Sequence, residues 1–215
     1  MENTIYGING SVISVRNTKD FFMQEMVYVG RERLIGEVIS ITDELTLIQV
    51  YEVTTGLEPG EPVISTKSPM SVTLGPGIVG NIFDGIERPL RDIESKSGAF
   101  IARGGDYKSL NEDKKWDVTV TVKPGDMLNE GDIFAVLPET PSIEHRSMLP
   151  FGKSGRVVFA APDGQYTIND KIIEIERPDG ERESFTLAQK WPIRNPRPIK
   201  KRLPANIPLI TGQRV

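Results

Sequence analysis

The most chemically suggestive triplet in the sequence is Gly-Lys-Ser, within Phe151-Gly152-Lys153-Ser154. A phosphate-cradling loop of the form Gly-x-x-x-x-Gly-Lys-Ser/Thr needs its first glycine at position 147, and that residue is Ser147. It also needs a strand before it and a helix after it, so that backbone N–H groups point at the phosphates and the lysine reaches the terminal one. Here the triplet lies inside a β-patterned stretch. His145 is the single histidine and there is no cysteine. That excludes disulfides, thiolate nucleophiles, thiolate metal sites and histidine-clustered metal centres within the chain. Arg103-Gly104-Gly105 invites a functional reading, but an arginine beside glycines reads as a turn residue and is given no chemistry. No residue is assigned a catalytic, cofactor-binding or metal-binding role, so the elements carry the rest of the reading.

The pattern predicts a mainly β chain. Over 1–70, Ile5 to Val15, Met26 to Val29, Leu34 to Ile41, Leu45 to Tyr51 and Pro62 to Thr66 are short runs rich in Val, Ile, Thr and Tyr. Polar or Gly/Pro turns such as Thr42-Asp43-Glu44 and Gly56-Leu57-Glu58-Pro59-Gly60 separate them. That spacing predicts a small closed β barrel. The connector 71–115 differs: between Leu74 and Leu90, Ile78, Val79, Ile82, Phe83 and Ile86 recur at helical spacing, and Pro76 and Pro89 each suit the first turn of a short helix. Gly75, Gly77, Gly80 and Gly85 allow tight bends and close approach of another chain, so this joint is expected to be packed. A second short helix is predicted over Leu90 to Ser97, stopped by Gly98, followed by an exposed loop.

The third unit, 116–188, opens on a clean alternation of Trp116, Val118, Val120 and Val122 against Asp117, Thr119 and Thr121. Strands are predicted at Ile133 to Leu137, Gly155 to Ala160, Tyr166 to Ile168, Lys171 to Glu176 and Glu183 to Leu187. Asp163-Gly164 and Asp179-Gly180 are predicted as hairpin turns with positive φ. The pattern Pro124-Gly125-Asp126-Met127-Leu128-Asn129-Glu130-Gly131-Asp132, with Met148 to Val157 later, resembles the biotinyl and lipoyl carrier fold, a flattened barrel of two sheets. Such carriers present a modifiable lysine on an exposed hairpin. The corresponding Glu139 to Ser147 contains none, so the resemblance implies shared architecture without the carrier chemistry.

The segment 189–215 has a proline every few residues and cannot form a helix or a central strand. From Ser184 onward there are seven basic residues and no acidic one, against 19 basic and 30 acidic before it, within a net charge of −4 over 215 residues. Ile193, Ile199, Leu203, Ile207, Leu209 and Ile210 favour an extended connector lying on another surface over a solvated tether. The acidic body argues against a nucleic-acid partner. No apolar run reaches the roughly 20 residues of a membrane span, and Met-Glu-Asn-Thr lacks the features of a signal peptide.

Three stretches resemble the catalytic A subunit of V-type and A-type rotary ATPases and ATP synthases, the prokaryotic ones especially. They are Glu52 to Pro62, Leu74-Gly75-Pro76-Gly77 through Phe83-Asp84-Gly85-Ile86-Glu87-Arg88-Pro89-Leu90, and Gln189-Lys190-Trp191-Pro192-Ile193-Arg194 through Thr211-Gly212-Gln213-Arg214-Val215. The resemblance implies a crown of barrels atop an alternating A/B hexamer, and a bulge formed by the inserted unit that meets the peripheral stalk. It also implies a nucleotide-binding domain after Val215 that would hold ATP or ADP with Mg²⁺ and reach the central stalk. On that reading the chain itself holds no cofactor, works without direct membrane insertion beside a cytoplasmic membrane face, and serves coupled H⁺ or Na⁺ translocation. The other reading is a stand-alone β-barrel interaction domain or carrier-like domain. Expressed alone, the chain is expected to leave Ile78, Ile82, Phe83 and the apolar tail residues partly exposed and to self-associate.

Overall fold

The barrel strands turn mostly Val, Ile and Leu to one face, and burying that face decides the architecture. The computed structural model describes residues 3–16, 19–98, 101, 103–104, 107–197, 199, 201–208, 210 and 212. Gly105 and, in the tail, Pro198, Lys200, Leu209, Thr211, Gln213, Arg214 and Val215 lie outside the described residues. Strands β1 (Ile5–Asn9), β2 (Val12–Val15), β3 (Glu25–Val29), β4 (Leu34–Ile41), β5 (Thr46–Val50) and β6 (Val63–Pro69) form one antiparallel sheet in the order β1-β2-β5-β4-β3-β6. It closes on itself: Thr4 bridges Pro62, Ile5 N donates to Glu61 O at 2.9 Å, and Val63 N donates to Asn3 O at 2.7 Å. Closure removes the free edges that an open sheet would offer to other chains. Inside stand Ile5, Ile13, Val15, Val27, Val29, Leu34, Val38, Ile48, Val50 and Val63, each contributing about 1.5–3 kcal/mol of burial. The expected single run from Ile5 to Val15 is a hairpin instead, turning at Gly10 with φ 60°.

The joint between Leu74 and Leu90 does not take the predicted helical form. It is a series of turns, with Phe83 bridging Pro89 and Asp84 N donating to Arg88 O at 3.1 Å. Four glycines in so short a stretch weaken a helix by roughly 0.5–1 kcal/mol each, and the turn bonds of Asp84 outcompete it. Helix α1 (Leu90–Ser97) forms where predicted, with Gly98 ending it at φ 73°. Gly75 and Pro76 are buried, and a side chain at Gly75 would meet Leu110 Cδ1 at 3.0 Å and the Ala188 backbone at 3.2 Å. That close approach explains the glycine.

The third unit is a sandwich of two four-stranded sheets. One runs β11-β10-β8-β13 and the other β15-β14-β12-β9, from β8 (Trp116–Val120), β9 (Met127–Leu128), β10 (Ile133–Thr140), β11 (Ile143–Met148), β12 (Gly155–Ala160), β13 (Gly164–Tyr166), β14 (Ile173–Glu176) and β15 (Arg182–Phe185). Trp116, Val118, Phe134, Leu137, Leu149, Val157, Ile173 and Ile175 fill the space between them. Asp179-Gly180 is the expected tight turn, with Gly180 at φ 84°. Asp163-Gly164 is not: Gly164 opens β13, which leaves the sheet of β12 and pairs with β8 in the other sheet. Asp163 serves there by accepting from Val120 N at 2.9 Å. The sequence pattern does not predict strand β11, because Ile143-Glu144-His145-Arg146 shows no apolar run. Finally β7 (Ser71–Leu74) pairs antiparallel with β16 (Gln189–Pro192), so the chain enters and leaves the sandwich through one two-stranded ribbon.

Candidate functional site

Carboxylates, not the Gly-Lys-Ser triplet, organise the interior of this chain. Glu25 and Glu37 are buried within the barrel wall at 0% and 2% exposure. A buried carboxylate is tolerated only when donors satisfy it. Glu25 accepts from Phe22 N at 2.9 Å, Lys67 N at 2.9 Å and the Ser65 hydroxyl. Glu61 accepts from Arg31 N at 2.9 Å, near the closure of the barrel.

Three glutamates, Glu37 among them, join units to one another. Glu52, just after β5, accepts from Arg88 Nη1 at 2.9 Å, from Gly104 N at 2.8 Å and from Ile35 N at 3.3 Å. Arg88 in turn donates through Nε to Asp84 at 2.7 Å, and all three side chains are largely buried. Asp84 also takes Ile86 N and Arg88 N, which fixes the turn that holds the arginine. Glu37 on β4 receives the Arg194 guanidinium at 2.8 and 2.9 Å and the Tyr51 hydroxyl at 2.5 Å. Burial first, then the bond and charge of Glu37, push the Tyr51 phenol up to about 12. Glu139, at the end of β10, accepts from Gly77 N at 2.7 Å and Val79 N at 3.0 Å, and its other oxygen meets His145 Nδ1 at 3.2 Å. Burial holds His145 below its ordinary range, while Glu139 pulls it back up.

The residues singled out in the sequence fall into this frame. Gly152 N donates to the Glu130 carboxylate at 2.8 Å and Lys153 Nζ is 2.7 Å from Glu183, so the groups a phosphate would need already serve acidic side chains. Arg103 donates to Val53 O, Thr55 O and Glu32, bracing the loop after β5 as a structural residue. The Glu139–Ser147 stretch is the β10–β11 hairpin, and it docks on the joint through Glu139. The three signature stretches, far apart in sequence, converge: Glu52 of the first meets Arg88 of the second, and Leu74 of the second pairs with Gln189 of the third. Between barrel wall, joint and sandwich lies an open cleft of about 830 Å³. Among the described residues no group of three or more acidic or histidine side chains is arranged to hold a metal ion. None of the helices among them is long and apolar enough to cross a membrane.

Sequence reasoning passed over Glu37, Glu52 and Glu139. The signal was present in Glu37, an acid inside the otherwise apolar run Leu34-Ile35-Gly36-Glu37-Val38. Its partner, Arg194, is too distant in sequence to be paired with it by pattern.

Comparison with known proteins gives the same division. Residues 5–67 match the ATP synthase alpha/beta family β-barrel domain, and residues 107–194 match the ATP synthase alpha/beta subunit barrel-sandwich domain. The V-type ATP synthase alpha chain of Halothermothrix orenii is 50% identical over 97% of this chain and 35% of its own length. The A-type ATP synthase A subunit of Methanopyrus kandleri is 48% identical over 100% of this chain and 37% of its own. For the V-type proton ATPase catalytic A subunit of Cyanidium caldarium the figures are 46%, 97% and 36%. The chain thus spans about a third of the length of these curated relatives. With two domains of one family in order, and nearly half its residues shared with V-type and A-type relatives along its whole length, the chain belongs to the ATP synthase alpha/beta family, where it corresponds to the barrel and barrel-sandwich part of such proteins.

Proposed function

We propose that this chain is the N-terminal, structural portion of the catalytic A subunit of a V-type or A-type ATPase or ATP synthase. The observation that carries the reading is 46–50% identity with relatives of that name over essentially the whole of this chain. In this reading 1–70 is the crown barrel, 71–115 the connector, 116–188 the bulge and 189–215 the segment leading to a nucleotide-binding domain. Barrels of alternating A and B subunits hold the top of the hexamer in a ring while the catalytic interfaces open and close below. The bulge meets the peripheral stalk, and the protein works at the face of a membrane that it does not enter. ATP and Mg²⁺ belong to the remainder of the polypeptide; this portion contributes rigidity. The closed barrel, with its carboxylates bonded inside its own wall, supports that role because a ring contact must transmit load without unfolding.

The decisive experiment removes residues 1–70 from the full-length catalytic polypeptide and follows its assembly with B subunits by native mass spectrometry. Loss of the stable hexamer is expected, and a hexamer that survives intact refutes the anchoring role. With 116–187 deleted instead, the same polypeptide is expected to assemble a hexamer with impaired ion-coupled activity. Full coupling after that deletion would refute the stalk contact.

A further inference from the structure

Asn9-Gly10 is the single Asn-Gly dipeptide in the chain, and the fold places it at the tip of the β1–β2 hairpin. Asn9 ends β1 opposite Val12, and Gly10 and Ser11 form the two-residue loop between them. Of the two loop residues only Gly10 has a positive φ, at 60°, which marks the hairpin turn that calls for glycine at its first position. The turn therefore dictates the glycine. Nothing comparable dictates the asparagine, whose side chain is exposed and has no hydrogen-bond partner among the described residues.

The groups that would react at this tip are free of other bonds. The Gly10 N–H makes no hydrogen bond among the described residues, and a Cβ built on Gly10 would meet no atom within 4 Å. Bonds from outside reach the loop through its carbonyls instead. Thr54 Oγ1 donates to Gly10 O at 2.7 Å, and Val50 N and Gln49 Nε2 donate to Ser11 O at 2.8 and 3.5 Å. With no side chain on Gly10, its nitrogen is open to close approach by the Asn9 carboxamide. Asn206 is the matched contrast: its side chain is also exposed and unbonded, but the β-branched Ile207 follows it and crowds the corresponding nitrogen.

We propose that Asn9 is a site of spontaneous deamidation, and that the isoaspartate it forms loosens the tip of the hairpin. The Gly10 nitrogen, on losing its proton to base, attacks Asn9 Cγ. The new C–N bond closes a five-membered succinimide, and the side-chain nitrogen takes up a proton and leaves as ammonia. Water then opens the ring. Opening at the side-chain carbonyl gives aspartate; opening at the main-chain carbonyl gives isoaspartate, in which the chain runs through the former side chain. One water is consumed and one ammonia released, with no oxidant or reductant. Isoaspartate adds one methylene to the backbone of a two-residue loop whose length sets the pairing of the strands. The added atom falls between the Asn9–Val12 rung and the two carbonyls that Thr54 and Val50 hold, so those bonds are the ones displaced.

The test incubates the 215-residue chain at mildly alkaline pH, where the attacking nitrogen loses its proton more readily, and follows each asparagine by peptide mass spectrometry. Asn9 is expected to show the mass gain of an amide converted to an acid while Asn206 keeps its amide, and fragmentation that separates the isomers should find isoaspartate beside aspartate. An Asn9 that stays an amide, or an Asn206 that converts in step with it, overturns the site. Asn9→Gln, which can cyclise only through a larger ring, should stay unmodified at that position; conversion there at the rate of the unaltered chain overturns the succinimide route. The consequence is read at the Val50 amide by hydrogen exchange. Exchange there is expected to be faster in the isoaspartate-bearing fraction than in fresh chain, and unchanged in freshly prepared Asn9→Asp, which adds the charge without the backbone atom. Unchanged Val50 exchange in the isoaspartate fraction overturns the loosening.

Discussion

At the scale of single residues, energy is concentrated where charge is buried. Arg88 lies between Glu52 and Asp84 with about an eighth of its side chain exposed. Removing one member of a buried ionic group strands the others without compensation, a loss of about 3–5 kcal/mol. Arg88→Ala is therefore expected to lower unfolding stability by that amount in denaturant titration. A loss under about 1 kcal/mol would mean the group behaves as a surface pair. His145 gives a pH signature. Its folded pKa is lowered, chiefly by burial, so the unfolded chain binds the proton more tightly. Stability contributed by the neutral, folded histidine is complete above its ordinary value and is lost as pH falls from there toward the lowered one. Since His145 is the single histidine, His145→Gln isolates the effect. Thermal melts from about pH 7.5 to about pH 5.5 are expected to fall less steeply in the variant than in the unaltered chain. Parallel curves would show that His145 titrates as it does in water.

Elements were legible in the sequence where one period dominated, and obscure where bonds from elsewhere decided. The alternation of Trp116, Val118 and Val120 predicts β8, and Pro89 and Gly98 bracket α1, because burial of one face and helix-end geometry are local properties. The helical spacing of Ile78 to Ile86 was equally visible and did not become a helix. There Asp84 captures three backbone or side-chain donors of its own turn, and Ile82 is left exposed. Strand β11 has no apolar signature since its partners are β10 on one side and solvent on the other. The carboxylate clamps were out of reach because Glu37 and Arg194 are neighbours only after folding. Close packing between elements makes a further prediction at Gly155, where β12 crosses β14. A Cβ there would stand 2.5 Å from Glu176 O, a backbone atom that the ladder holds in place. Gly155→Ala is expected to destabilise the sandwich by about 1–3 kcal/mol and to leave the barrel's hydrogen-exchange protection unchanged. Protection lost equally in both units would show that they unfold as one.

For the molecule as a whole, charge and apolar exposure are unevenly shared. The body before Ser184 carries the acidic excess, and the extended segment after Arg194 carries basic residues together with Ile199, Leu203, Ile207 and Ile210, which are 70% to 90% exposed. The root of that segment is firmly held: Trp191 is buried, its indole N–H donates to Asn195 O at 2.8 Å, and Arg194 is bound to Glu37. Beyond the root, nothing among the described residues buries those four side chains. Basic and apolar residues on one extended segment complement the acidic body of another copy, and a contact between a tail and a different surface of the next copy need not close into a ring. Self-association is therefore expected to be open-ended and to grow with concentration. Light scattering after size exclusion should give a mass that rises with loading, and a hydrophobic dye should bind. Removing 198–215 takes away the apolar side chains while sparing Trp191, Arg194 and Asn195, so it is expected to restore a monomer that melts at the same temperature. Added salt should weaken the association only in part, because screening acts on the charges and not on the apolar contacts. A chain that stays monomeric and dye-silent at high concentration would show that the tail folds back on its own body. Association that persists after the deletion would instead assign it to the exposed Val79 and Ile82 of the joint.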